Sequence, residues 1–262
     1  MIDITIVDYV ALCDCLEKAV CISDDVVIDI NKSKLSINSK NTMARLSIES
    51  NCVTATDACQ IALADIRLFI VALSNANESI KDAFGDKITI QVNPGKLLIK
   101  TNNSKTSLHQ ANVDIIRSQS TPIKDLPKTL LDFTLNKAAF KKINSSLIYI
   151  SNTADARVEF GMFDDIQDKS LLGAKIFAAN TPLSNYAVID VGEINSSDTA
   201  IPYAITLDFD RINLLAKFSN NNFVKISALA KPALVITYNT VQNESVNNLS
   251  TTNITLICSI VK

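Results

Sequence analysis

Apolar and polar residues alternate with a period of two along most of the chain, which predicts half-buried β-strands. "DVVIDINKSKLSIN" (Asp25–Asn38) is two β-branched runs around a polar turn. "ITIQVNPGKLLIK" (Ile88–Lys100) is a clearer hairpin. Its Pro94 and Gly95 suit the central positions of a tight turn, because proline presets φ and glycine tolerates φ above zero. Further strands are predicted at Ala156–Phe163, Ala174–Asn180, Tyr186–Gly192, Phe223–Ala230, Ala233–Tyr238 and Asn253–Val261.

Four stretches switch to the helical period. The first is Asp8–Val20, with Leu12, Leu16 and Ala19 on one side. The second is Ala64–Ala76, with Ile66, Phe69, Ile70 and Leu73 in register. The third lies in "LNKAAFKKINSSLIYI" (Leu135–Ile150), where Phe140, Ile143 and Leu147 form the apolar stripe. Lys137, Lys141, Asn144 and Ser145 share its opposite face, with Lys142 at the margin. The fourth is Asp210–Asn220, opened by the strand "YAITLDF". Strand, helix and a run of strands thus follow one another four times, twice in each half. This is a repeat of pattern without repeated letters. Between the halves lies "RSQSTPIKDLPK" (Arg117–Lys128), polar, aperiodic and with two prolines, which reads as a linker. The expected organisation is an α+β chain with a first domain 1–116, a connector 117–128 and a second domain 129–262. The polar stretch Asn239–Asn253 is expected to be a long loop.

Composition narrows the chemistry. The 262 residues carry 25 Lys+Arg against 27 Asp+Glu, a net charge of −2, so any nucleic-acid role must rest on local charge. Six cysteines (Cys13, Cys15, Cys21, Cys52, Cys59 and Cys258) make no CxxC pair, and the single histidine is His109. A zinc site wants clustered Cys and His, so no metal is expected and the cysteines read as small buried apolar residues in a reducing compartment. The sequon Asn102-Asn103-Ser104 is then ordinary Asn/Ser-rich composition. The start "MIDITIVDYV" lacks the basic and apolar regions of a signal peptide, and the apolar run "LFIVAL" (Leu68–Leu73) is far short of a bilayer span. A soluble protein of the cytoplasm, the host's if viral, is the expectation.

Catalytic patterns are scarce. One histidine leaves no Ser-His-Asp or Cys-His set, and 5 glycines form no phosphate-cradling loop. Asp164-Asp165 reads as a solvated turn between strands. No catalytic residue and no cofactor are assigned, and weight shifts to a binding protein. An enzyme with an unrecognised site and a viral structural β-rich protein are the competing classes; the regularly placed helices argue against the latter.

The third helix carries three lysines and no acid, whereas solvated helices usually interleave opposite charges at i,i+4. The fourth adds Arg211 and Lys217, diluted by Asp210. In the first half the signal is weaker: Lys18 sits among Asp14 and Glu17, and the second helix offers Arg67 alone.

Two halves of doubled strand–helix–strands units, a proline-containing connector and basic helices together resemble the DNA sliding clamps, specifically proliferating cell nuclear antigen and the tailed-phage processivity factors. The resemblance covers nearly the whole chain. It is best in "YAITLDFDRINLLAKFSNNNFVKISALAKPALVITY" (Tyr203–Tyr238) and present in "ACQIALADIRLFIVALSNA" (Ala58–Ala76). It implies a homotrimeric ring around double-stranded DNA, helices inside and sheets outside, that tethers a DNA polymerase and is opened by a clamp loader. An open monomer or dimer of the same fold is the alternative. The resemblance places Lys18, Arg67, Lys137, Lys141, Lys142, Arg211 and Lys217 toward the phosphates. It places Met43, Leu46, Ile123, Leu126, Pro232 and Leu234 in a pocket for client proteins. It pairs the edge "KTSLHQANV" (Lys105–Val113), through Thr106 and Leu108, with "GAKIFAANT" (Gly173–Thr181), through Lys175, Ile176 and Phe177, of the next subunit.

Overall fold

A computed structural model describes residues 1–80, 87–123, 126, 128–146, 155–166, 171–179, 186–197, 205–218, 223–229, 233–243 and 249–259. The chain divides into two compact units, Met1–Ile123 with Asn239–Thr255, and Lys124–Tyr238 with Leu256–Lys262.

The first unit opens with β1 (Ile2–Ile6), α1 (Tyr9–Val20), β2 (Val26–Asn31), β3 (Lys34–Lys40), β4 (Ala44–Ser50), β5 (Val53–Ala55), β6 (Cys59–Leu63) and α2 (Ile66–Ile80). The hairpin β7 (Thr89–Asn93) and β8 (Lys96–Lys100) follows, then β9 (Lys105–His109) and a single 3-10 turn, Val113–Ile115. One sheet runs β5-β1-β7-β8-β9, and all its pairings are antiparallel. Gly95 closes the β7–β8 hairpin at φ +71°, the left-handed conformation glycine adopts without strain. Helix starts follow from capping. Asp8 accepts from the Ala11 N–H at 2.9 Å, and Asp65 accepts from the Arg67 and Leu68 N–H groups at 2.9 and 3.3 Å. The apolar stripes bury Leu12 and Leu16 of α1, and Phe69 and Leu73 of α2, above strands whose inward residues include Ile4, Ile28, Ile37 and Ile48.

The second unit contains β10 (Thr129–Asn136), α3 (Lys137–Ser146), β11 (Ala156–Gly161), β12 (Leu171–Ala178), β13 (Ala187–Ser197), β14 (Ile205–Asp208), α4 (Phe209–Phe218) and β15 (Phe223–Leu229). Two last strands, β16 (Ala233–Asn243) and β17 (Leu249–Ser259), each contribute residues to both units. The second unit's sheet runs β14-β11-β12-β13-β10-β15-β16. Phe133 and Phe160 stack at its centre, ring centroids 5.7 Å apart, and both are fully buried. Helices α3 and α4 lie against each other, α3 over β13 and β10, α4 over β11 and β14. Leu147, expected in the stripe of α3, lies outside the described residues.

One expectation fails clearly. The described residues of Asn239–Asn253 are strand and not loop: β16 continues to Asn243 and β17 begins at Leu249. The segment Leu249–Ser259 is polar but alternates. Ser250, Thr252, Ile254, Leu256 and Cys258 are buried, and Thr251 and Asn253 face out. Hydrogen bonds satisfy the buried hydroxyls: Ser50 and Thr252 share one at 2.8 Å, and Ser250 bonds the Asp8 carboxylate. All six cysteines are free; Cys15, Cys52 and Cys258 are core residues, and burial pushes the Cys258 thiol up to about 11.

Candidate nucleic-acid interface

The basic residues expected on one surface separate into three kinds. Lys141 and Lys217 are exposed on the adjacent helices α3 and α4. Lys142 is also exposed, but its ammonium donates to both Asp190 carboxylate oxygens at 3.3 Å and to the Asp190 carbonyl at 3.2 Å. For Lys137 the backbone opens α3, while its side chain lies outside the described residues.

Arg211 is a structural residue. Its N–H helps start α4 by donating to Asp208 at 2.9 Å, and its guanidinium pairs with the same carboxylate. The other guanidinium nitrogens donate to the Ser259 carbonyl at 2.7 Å and hydroxyl at 2.9 Å. With a side chain 16% exposed, it ties the last strand to the helix rather than offering a charge outward.

The first unit departs further from the expectation. Lys18 is buried, its side chain 10% exposed and 3.9 Å from Asp14. Burial first, and then the Glu17 charge, push the Asp14 carboxyl above its ordinary range despite the pull of Lys18. Arg67 is exposed but paired with Asp24 at 2.9 Å. The rest of the exposed face of α1 and α2 is Val10, Glu17, Leu68, Val71, Ser74, Asn75 and Glu78, apolar to acidic. The described cationic surface on the helices therefore belongs mainly to the second unit.

The expected edges need one correction. Among the described residues β9 is an edge, hydrogen-bonded to β8 alone, with Thr106 and Leu108 half-buried along it. Within Gly173–Thr181 the strand β12, which ends at Ala178, is not an edge, since it lies between two partners. Lys175, Ile176 and Phe177 pair with Glu159, Val158 and Arg157 of β11 on one side, and Lys175 and Ile176 pair with Val188 and Ala187 of β13 on the other. The edge is one strand later. β13 pairs with β12 from Ala187 onward but joins β10 only from Gly192, so the other side of Ala187–Val191 meets no strand among the described residues. Gly192 makes that change of partner possible. A Cβ there would stand 2.0 Å from the Thr134 carbonyl oxygen, so only glycine lets β13 swing onto β10. Sequence reasoning missed this edge because the pattern of Tyr186–Gly192 marks a strand without revealing its neighbours.

The expected client pocket is not one surface of exposed side chains. Leu46 is fully buried in the first unit, because β4 turns it inward with Ala44 and Ile48. Met43 and Ile123 are half-buried, and Leu126 is 45% exposed. Pro232 and the Leu234 side chain lie outside the described residues.

Comparison with solved structures matches this architecture over the chain's full length. The structure of A. fulgidus PCNA, with the C-terminal region of FEN-1 bound, superposes with a TM-score of 0.66 at 12% identity, covering 100% of this chain and 99% of that one. Proliferating cellular nuclear antigen from Entamoeba histolytica gives a TM-score of 0.67 at 11% identity, covering 100% and 99%. The chain has the DNA-clamp fold. No protein-family model and no curated protein matches the sequence. The α+β organisation expected from the strand–helix–strands pattern is thus the fold found. Among the described residues no helix is long and apolar enough to cross a membrane.

Proposed function

We propose that this chain is a sliding clamp that closes around duplex DNA and holds a DNA polymerase on its template. The observation that carries the reading is the clamp fold over the whole chain together with two edges of equal length that are unpaired among the described residues. β9 offers five residues, and Ala187–Val191 of β13 offers five. An exposed edge is a liability unless something pairs with it. Antiparallel pairing of β9 of one copy with β13 of the next uses both edges on every copy. Such head-to-tail contacts form a ring when the rotation closes, here with three copies.

Electrostatics favour a ring over an open DNA-binding face. A few lysines touching phosphates give affinities of only ~10⁻⁴ to 10⁻⁶ M at physiological salt. With association at ~10⁷ M⁻¹s⁻¹, such a complex lasts roughly a millisecond to a tenth of a second. That is too brief to tether a polymerase over a long template. Encirclement replaces salt-labile contact with a mechanical link, and weak attraction by Lys141, Lys142, Lys217 and Lys137 then permits sliding. These contacts would go to the backbone and read no sequence. The protein acts as a scaffold without catalysis of its own, with a loader to open it and client proteins that dock near the connector.

Sedimentation equilibrium of the purified chain tests the assembly. A species three times the 28.5 kDa protomer mass is expected. A protomer that stays monomeric or stops at a dimer at micromolar concentration favours the open-face reading instead.

A further inference from the structure

The root of the connector forms a polar cleft of about 530 Å³ in the first unit, lined by Lys40, Arg45, Gln119, Ser120 and Thr121. Backbone pairing builds it. Beyond the β2–β3 pairing, which begins with Ile28 opposite Ile37, the connector takes its place beside β3: the Lys40 N–H donates to the Ser118 carbonyl at 2.7 Å, and the Ser120 N–H donates to the Asn38 carbonyl at 3.2 Å. Ser39 and Gln119 form the bridge between them. Asp25 pins the other end, accepting from the Arg117 N–H at 3.0 Å.

Arg45 reaches across from β4. One terminal nitrogen donates to both the carbonyl and the hydroxyl of Thr121, each at 3.1 Å. This fixes the guanidinium and leaves its remaining N–H groups without a partner among the described residues. Lys40, also exposed, makes no side-chain bond among them. Among the described residues no carboxylate lines the cleft. The acids of the neighbouring strands are engaged elsewhere, Glu49 with Lys34 at 2.8 Å and Asp29 with Gln60 at 2.7 Å. A planar guanidinium, held still beside a second cation and a rim of hydroxyl and amide groups, matches a carboxylate.

We propose that this cleft receives an acidic side chain, Asp or Glu, of a protein segment that lies along the first residues of the connector. The proposal deepens the reading of the connector as a docking region and adds a charged anchor to the apolar one expected there. Its place on β3, β4 and the connector of the first unit sets it apart from the candidate DNA surface, whose exposed cations lie on α3 and α4.

The test is fluorescence anisotropy at low salt with a fluorescein-labelled acetyl-Ala-Glu-Ala-Glu-Ala peptide, its Gln counterpart, and the full chain without DNA. The Glu peptide should bind about tenfold more tightly than the Gln peptide, as expected for charge-assisted pairing. Lys40→Gln, which disturbs no bond to the connector, should weaken binding about threefold, and the Lys40→Gln/Arg45→Gln double variant about tenfold. Lys34→Gln removes an equal charge from the same sheet and should leave binding unchanged. The proposal is overturned if the double variant binds like the wild type or if the two peptides bind alike. It is also overturned if a short single-stranded oligonucleotide displaces the peptide and loses its own affinity in Lys40→Gln, which would make the cleft a phosphate site. Sedimentation mass plays no part in this readout, so failure of the ring and failure of the cleft are distinguishable.

Discussion

The Lys142 ammonium sits 3.3 Å from both carboxylate oxygens of Asp190, on the strand segment left open at the side of β13. A cation of the helical surface is thereby committed to the proposed assembly edge, whereas Lys141, the next residue back, is not. The two lysines should separate by function. Lys141→Glu is expected to weaken DNA association and to lower the salt slope by about 1 or more, since one phosphate contact is lost and a repulsion added. Lys142→Ala should change DNA affinity less and self-association more. Filter binding across a salt series, beside sedimentation of each variant, checks the pair.

Arg211 should matter to folding and not to DNA. Arg211→Ala removes the cation paired with the Asp208 carboxylate and the guanidinium bonds to the Ser259 carbonyl and hydroxyl, so it should cost about 2–3 kcal/mol of stability in urea unfolding, the range for charge-assisted bonds that are mostly buried. DNA affinity of the folded variant should stay within error of the wild type. Lys217→Ala should lower DNA affinity.

Gly192→Ala should be among the most disruptive single substitutions. The added methyl meets the Thr134 carbonyl oxygen at 2.0 Å, a backbone atom that cannot swing away. A loss of about 3 kcal/mol or more is expected from overpacking of this kind. Urea unfolding measures it, and the same variant should lose assembly because the open segment of β13 is no longer held in place.

The sequence revealed elements better than neighbours. Strands and helices followed from period, and three helix starts coincide with aspartates (Asp8, Asp65 and Asp208) whose side chains accept backbone N–H groups. The order of those elements resembled the clamp fold, which the solved structures match. Burial and pairing were not legible. Nothing in "CDCLEK" says that Lys18 lies against Asp14 beneath the surface, and Arg211 reads as a basic face residue until Asp208 and Ser259 are seen around it. Period two marked Asn253–Val261 as a strand but not its first residues, Leu249–Thr252, because a hydropathy pattern counts Ser250 and Thr252 as polar and therefore as outside, whereas both have buried hydroxyl partners.

The connector's anchor should be acid-sensitive. Burial alone would raise the Asp25 carboxyl, but the Ser23 hydroxyl at 2.6 Å and the Arg117 N–H at 3.0 Å outweigh it and hold it below the ordinary 3.8. A carboxyl lowered by folding contributes stability above its unfolded value and loses it as pH falls through the lower folded value. The stability difference between wild type and Asp25→Asn should therefore be full at neutral pH and shrink once pH drops below 3.8. A difference that stays constant through acid would place the anchor elsewhere.

Retention on circular DNA tests encirclement most directly. Protomers are brought together in the presence of nicked circular plasmid, half the sample is cut once with a restriction enzyme, and both halves are washed with high salt to remove phosphate contacts. The account predicts that protein stays on the uncut circles and is lost from the linear molecules. Equal loss from both would contradict it.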